Sequence, residues 1–233
     1  MKNKYWIYLL VIGLFLMFSC KKETAKPKGT SALIIVNGMV GSSILFTNFD
    51  SSRPQHFNPF PGYVGYQSFA EYGSYTGNVS LSLTDNSDTT KVAYKVTMNL
   101  PLNAIHSLFL TGTLTAPQSF ITTDHPPYHG ITDSVAGVRF VNLSPGSSPI
   151  SVNIQGNANA SEVSGLAYKK VSDFKALPAT SVVSDYLFEI RDAATGDLLT
   201  TFDYDNIARF NNVTIVICGE DSNNLSTFLV KNY

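Results

Sequence analysis

One pattern in the chain occurs twice. Val36-Asn37-x-x-x-Gly41-Ser42-Ser43 returns as Val141-Asn142-x-x-x-Gly146-Ser147-Ser148, a shift of 105 positions. Farther along the shift becomes 107. Val79, Leu81, Leu83 and Asp85 fall on Tyr186, Phe188, Ile190 and Asp192, and Ile105 to Gly112 falls on Asn212 to Gly219. A near-constant offset over most of a 233-residue chain marks a duplicated unit. Whatever one copy folds into, the other must fold into as well. Each copy is small and buries a modest core, so the two are expected to share an interface.

The unit reads as all-β. Val79-Ser80-Leu81-Ser82-Leu83-Thr84 puts three apolar residues on one face and three hydroxyls on the other, as a half-buried antiparallel strand requires. Ile150, Val152 and Ile154 alternate in the same way with Ser151 and Asn153. Further short runs begin at Ala32, Val92, Ile105, Val138, Tyr186, Leu198 and Val213, with turn sequences such as Asp85-Asn86-Ser87-Asp88 and Ala194-Thr195-Gly196-Asp197 between them. This spacing predicts two tandem β-sandwiches, immunoglobulin-like or similar, over 30–115 and 134–233. The segment 116–133, rich in Thr, Pro and His, reads as the linker. Lys169 to Ala176 could make a helical turn.

The N-terminus carries an address. Lys2 and Lys4 precede an apolar stretch from Tyr5 to Phe18, too short for a spanning helix of about 20 residues. Leu16-Met17-Phe18-Ser19-Cys20 resembles the lipobox of bacterial lipoproteins. That resemblance implies a signal peptide over 1–19, cleavage before Cys20, and a diacylglyceryl group on the Cys20 thiol. Residues 20–29, polar and ending in Pro27-Lys28-Gly29, read as a flexible tether. Lys21 follows Cys20 where inner-membrane retention would resemble Asp, so the expected location is the outer membrane, periplasmic or surface-facing. Cys218 ends the apolar run Val213 to Ile217 and reads as a small buried hydrophobe rather than a disulfide partner of Cys20.

The second copy resembles the family known as domain of unknown function 4397. The resemblance rests on Val138-Arg139-Phe140-Val141-Asn142-Leu143-Ser144-Pro145, on Pro149-Ile150-Ser151-Val152-Asn153-Ile154-Gln155-Gly156, and on the closing strand Val213 to Gly219. Asn142 stands where that family often has His. The first copy resembles it most in Gly62-Tyr63 and in Gly73-Ser74-Tyr75-Thr76. The family implies a small β-sandwich, frequent tandem copies and export, and no established activity.

Composition narrows the function classes. Removing residues 1–19 takes away two lysines and no acid, leaving 14 basic against 17 acidic residues and a net charge of -3. No basic stripe exists, so a nucleic-acid partner is not expected. No nucleophile elbow, zinc-protease helix, phosphate loop or Cys-x-x-Cys pair occurs. His125 and His129 flank Pro126-Pro127-Tyr128, but a third ligand is missing and a polar linker is the better interpretation. Asp85, Asn86 and Asp88, and Asp203, Asp205 and Asn206, read as turn chemistry rather than calcium loops. No catalytic residue, metal or cofactor is expected.

One segment stands apart. Phe57, Phe60, Tyr63, Tyr66, Phe69, Tyr72 and Tyr75 recur at every third position. A strand has period 2, so this spacing throws successive rings onto opposite faces, and Pro and Gly argue against a helix. One core cannot take all seven. They are therefore candidate binding residues for a partner protein or glycan, set against closure of a sandwich edge and packing on the other copy. The expected function is a lipid-anchored envelope protein, binding or structural, that docks on an outer-membrane complex or a glycan. The alternative is an envelope hydrolase with an unrecognised site.

Overall fold

The computed structural model describes residues 30–49, 62–74, 76–183 and 185–232. The expected signal peptide, Cys20, the tether, Phe57, Phe60 and Tyr75 lie outside the described residues. The chain is all-β: sixteen strands and no helix among those residues. The first eight are β1 (Ser31–Asn37), β2 (Ile44–Asn48), β3 (Tyr63–Gly65), β4 (Ser68–Ser74), β5 (Gly77–Asp85), β6 (Tyr94–Leu100), β7 (Ile105–Thr113) and β8 (Ala116–Asp124). The second eight are β9 (Val135–Asn142), β10 (Ile150–Ile154), β11 (Val163–Leu166), β12 (Lys175–Pro178), β13 (Tyr186–Asp192), β14 (Leu198–Tyr204), β15 (Asn212–Gly219) and β16 (Leu225–Asn232).

The duplication is carried through strand by strand. The first copy pairs its strands as β4-β1-β7-β8 and β3-β2-β5-β6; the second as β12-β9-β15-β16 and β11-β10-β13-β14. Register is repeated too. Ala32 faces Ile105 in the parallel β1–β7 pair, and Gly137 faces Asn212 in the parallel β9–β15 pair. Leu45 faces Asp85, and Ile150 faces Asp192.

Each copy is a sandwich, and the two sandwiches stack. Leu33, Leu45, Leu81 and Leu108 are among the residues that fill the first. Phe140, Ile150, Phe188 and Ile215 are among those that fill the second. A third apolar cluster lies between them: Ile34, Val36 and Phe109 from the first copy meet Val141, Leu143, Val216, Cys218, Phe228 and Val230 from the second. Sheets β4-β1-β7-β8 and β12-β9-β15-β16 are therefore covered on both faces. This is why β1, β7, β9 and β15 are buried almost throughout, while β6 and β14 alternate with solvent. Each Leu, Ile, Val or Phe fully buried at such a face contributes roughly 1.5–3 kcal/mol relative to exposure.

A buried polar network closes one end of this interface. Arg139 Nη1 donates to Asp124 Oδ1 at 2.9 Å, with both side chains almost fully enclosed. Asp124 also accepts from Ser107 and Thr122 at 2.5 and 2.8 Å, and Arg139 Nε donates to Thr214 at 2.8 Å. The Arg139 guanidinium lies 4.6 Å above the Phe174 ring. Every member but Phe174 sits on the facing sheets, so the network sets the two copies in register.

Two expectations are corrected. The segment 116–133 is not all linker: Ala116–Asp124 forms β8, pairing with β7 over nine residues. Its polar outward residues belong to an edge strand, which exposes one face. The connection between copies is residues 125–134. Lys169 to Ala176 makes no helical turn: Tyr168 and Lys169 form a tight turn, and Lys175–Pro178 is an edge strand against β9.

Candidate functional site

The repeated Asn-x-x-x-Gly-Ser motif builds a turn. Asn37 Oδ1 accepts from the Met39 amide at 3.1 Å, Asn37 Nδ2 donates to Ser42 Oγ at 3.1 Å, and Ser42 Oγ donates to the Met39 carbonyl at 2.7 Å. In the second copy Asn142 Oδ1 accepts from Ser144, Asn142 Nδ2 donates to Ser147, and Ser147 donates to the Ser144 carbonyl, at 3.0, 3.0 and 3.1 Å. Both Asn side chains are fully buried, so these bonds answer polar groups that would otherwise be stranded. The role is structural in both copies. The Asp turns behave alike. Asp85 accepts from the Ser87 amide and hydroxyl and from the Ser43 amide, and Asp192 from the Ala194 and Thr195 amides.

His129 Nε2 lies 3.1 Å from Asn212 Oδ1, and Asn212 Nδ2 donates to the Pro127 carbonyl at 2.9 Å. The connection 125–134 is thus pinned to the start of β15. Among the described residues, no group of three or more His, Cys, Asp or Glu is arranged to hold a metal ion.

The four described rings of the aromatic row go to different surroundings. Tyr63 is 58% exposed on β3. The Tyr66 hydroxyl meets the Cys218 thiol of the other copy; burial there raises both groups, the thiol to about 11. Phe69 packs against the cluster between the copies. Tyr72 packs on the first core, stacks edge-on with Phe49 at 5.0 Å and bonds Thr47 at 2.9 Å. Of these, Tyr63 alone presents most of its ring to solvent, while Phe69 and Tyr72 serve packing.

Tyr63 has company that the linear sequence concealed. Val64 points into the first core, so Tyr63 points outward; Leu45 does the same for Phe46, directly across from Tyr63. Phe46 is half-buried and lies outside that core. Thr84 sits opposite Phe46 on β5, followed outward along the same face by Ser82 and Ser80. Ser80 Oγ lies 3.0 Å from Thr97 Oγ1 on β6, and Lys95 is exposed beside them. The outer face of β3-β2-β5-β6 is therefore an aromatic pair bordered by hydroxyls and one cation. The equivalent face of the second copy differs. Glu189 pairs with Arg191 at 2.8 Å and accepts from Asn153 at 2.8 Å. The Arg191 and Asn153 hydrogen bonds hold the Glu189 carboxyl below its ordinary value.

Phe46 was missed because Ile44-Leu45-Phe46-Thr47 is apolar enough to look wholly buried. The hydroxyls were missed because strand alternation assigns them a face but not a neighbour. A cleft elsewhere in the second copy is lined by Ser134, Ala179, Thr180, Ser181, Ile207 and Arg209, with Arg209 its one ionisable group.

No family model matches the chain, and no curated protein matches it. Solved structures that resemble it include family 41 carbohydrate-binding modules from streptococcal virulence factors. The identity is 10%, covering 85% of this chain and 96% of that one, with a TM-score of 0.28. A family 26 module of Eubacterium rectale in complex with maltoheptaose is 11% identical, covering 88% and 97%, with a TM-score of 0.29. A multi-modular glycogen-degrading pneumococcal virulence factor is 10% identical with a TM-score of 0.29; the match covers 84% of this chain and 21% of that one. The chain thus spans about a fifth of that last protein's length.

Proposed function

We propose that the protein is a lipid-anchored accessory protein of the bacterial outer membrane that binds a glycan on the outer face of β3-β2-β5-β6. The observation that carries this reading is Tyr63 and Phe46 side by side on the outer face of this sheet, which also bears Ser80, Thr84, Thr97 and Lys95. An exposed Tyr ring offers a rigid apolar plane for the C–H face of a sugar, at little cost in rotamer freedom. Hydroxyls and an ammonium on the same face can bond a sugar's own hydroxyls. The second copy, with its ion-paired face, is the scaffold, and its strands keep the likeness to domain of unknown function 4397. The lipobox-like run ending at Cys20 and the polar residues after it support the anchor. Binding rather than hydrolysis is supported by where the polar groups go: Asn37, Asn142, Asp85 and Asp192 are each engaged in holding a turn.

Tyr63→Ala and the double variant Tyr63→Ala/Lys95→Ala are to be compared with wild type on an array of bacterial and plant glycans and by titration calorimetry. The expected result is at least a several-fold loss of binding with the melting temperature nearly unchanged, because Tyr63 is mostly exposed. Wild-type binding that survives both variants overturns the assignment of this face.

A further inference from the structure

The two ends of the molecule differ in chemistry. At one end lie the loops 86–93, 193–197 and 220–224. Their tips are Asp, Asn, Ser and Thr, tied by Asp88 to Thr90, Asp192 to Thr195, and Asp221 to Asn223 and Asn224. At the other end lie the start of the described body at Thr30, the loop 101–104, the connection 125–134, and the segments 179–183 and 205–211. Backbone bonds gather these segments. Asn103 donates to the Thr30 carbonyl, Ala179 to Ser134 and Phe210 to Val135. The Asp124–Arg139 bridge joins the two copies at the same level.

This second end carries Leu102, Tyr128, Ile131, Val182 and Phe210, exposed by 57%, 92%, 91%, 89% and 39%. They are five of nine large apolar side chains exposed among the described residues; the polar end has only Val92 and Leu198. Tips of this kind are costly to leave in water, and Tyr is at home where water meets lipid.

We infer that this end is a bilayer-contact surface, its exposed side chains entering the headgroup region of the membrane that holds the anchor. The inference rests on the lipid anchor proposed at Cys20. Nine residues, Lys21 to Gly29, separate that cysteine from Thr30. Ten peptide steps reach about 35 Å when fully extended and roughly 17 Å as a flexible coil. Thr30 emerges among the apolar tips, so the anchor keeps them within reach of the bilayer and holds the polar end away. Tether residues Lys21, Lys22, Lys26 and Lys28 outnumber Glu23 and favour anionic headgroups. Asp133, Asp185 and Asp205 outnumber Arg209 at this end, so the loops themselves contribute apolar contact rather than attraction to anionic headgroups. The partner is the lipid surface, and the outcome is a fixed orientation of the body. The sheets then stand on edge, and the face bearing Tyr63, outermost in the stack, looks along the membrane rather than into it.

The test uses the full chain, whose only tryptophan is Trp6, within the expected signal peptide. Tyr128→Trp and Val92→Trp place one fluorescent reporter at each end. Each protein, purified from membranes, is reconstituted into phosphatidylcholine–phosphatidylglycerol vesicles carrying brominated acyl chains. Expected are a blue-shifted emission from the Tyr128→Trp protein and quenching several-fold stronger there than in the Val92→Trp protein. Equal quenching of the two proteins, or none of the Tyr128→Trp protein, overturns the surface. Mass spectrometry of the same samples reads the anchor separately: an unmodified Cys20 thiol removes the anchor, while the contrast between the two reporters still decides the surface.

Discussion

Gly38 and Leu143 are the same position in the two copies, and they touch across the interface. A Cβ at Gly38 would stand 2.8 Å from Leu143 Cδ1 and 3.2 Å from Cys218 Cβ. Neighbouring contacts come in matched pairs. Thr111 Oγ1 donates to the Leu143 carbonyl, and Cys218, the counterpart of Thr111, lies against Gly38. The Tyr168 hydroxyl lies 3.3 Å from Thr111, and the Tyr66 hydroxyl meets Cys218. Gln67 and Lys169, both at positive φ, donate to the carbonyls of Asn37 and Asn142 at 2.9 and 2.8 Å. Reciprocity of this kind is what a two-fold homodimer interface has, here within one chain.

Gly38→Ala should destabilise the protein by about 1–3 kcal/mol, because an added methyl has nowhere to go. Leu143→Ala should cost roughly 2–5 kcal/mol. Introduced together, the two changes should cost less than their sum, since the smaller Leu143 position makes room for the methyl. Urea unfolding of the four proteins measures the coupling; strict additivity would show that the contact is not tight.

Asp124→Ala should be among the more damaging single changes outside the apolar cores. It leaves Arg139 enclosed without its carboxylate, an uncompensated buried charge of the kind that costs about 3–5 kcal/mol. Replacing Asp124 and Arg139 together with Leu and Met should recover much of the loss. Equal stability of Asp124→Ala and wild type in urea would show that solvent reaches this pair.

Acid should weaken the first copy through Asp85. Burial alone would raise this carboxyl, but donors from Ser43 and Ser87 outweigh it and hold the group below its ordinary 3.8. A depressed folded value stabilises the native state above the ordinary value, and the contribution is lost as pH falls through the folded value. Asp85→Asn should therefore be less stable than wild type at pH 7, with the gap closing below about pH 4. A gap in urea midpoint that stays constant from pH 7 to pH 3 would sink this assignment.

Cys218 should be inert in the native protein. Burial pushes its thiol up to about 11, so little thiolate exists at neutral pH, and the apolar cluster between the copies encloses it. In a Cys20→Ser background, maleimide labelling at pH 7.5 should be slow in buffer and fast in urea. Fast native labelling would mean that the two copies separate readily.

The strands of the second copy were legible from Tyr186 to Tyr204 almost to the residue, because alternation with short polar turns has few competing interpretations. β8 was not, because Pro117, Ser119, Thr122 and Thr123 carry the composition of a loop. An edge strand with one wet face can have that composition once β7 supplies its hydrogen bonds. The aromatic row was legible as a row but not as a set of destinations. Tyr63, Tyr66, Phe69 and Tyr72 span β3, a turn and β4, and the turn resets which way a ring points.

The repeat by itself determined that two equivalent β units follow one another, and the spacing of apolar residues determined which side chains each strand turns inward. Those properties are local: period, turn chemistry and offset are written along the chain. Only the tertiary structure decided that the continuous runs Leu33 to Val36 and Val213 to Cys218 are buried on both faces, one in their own sandwich core and the other against the other copy. Only it placed Phe46 beside Tyr63 and Leu143 against Gly38. The reason is that an apolar run reports how much surface must leave water, not which partner removes it; that choice is made by the shape and register of sheets built from residues about a hundred positions apart.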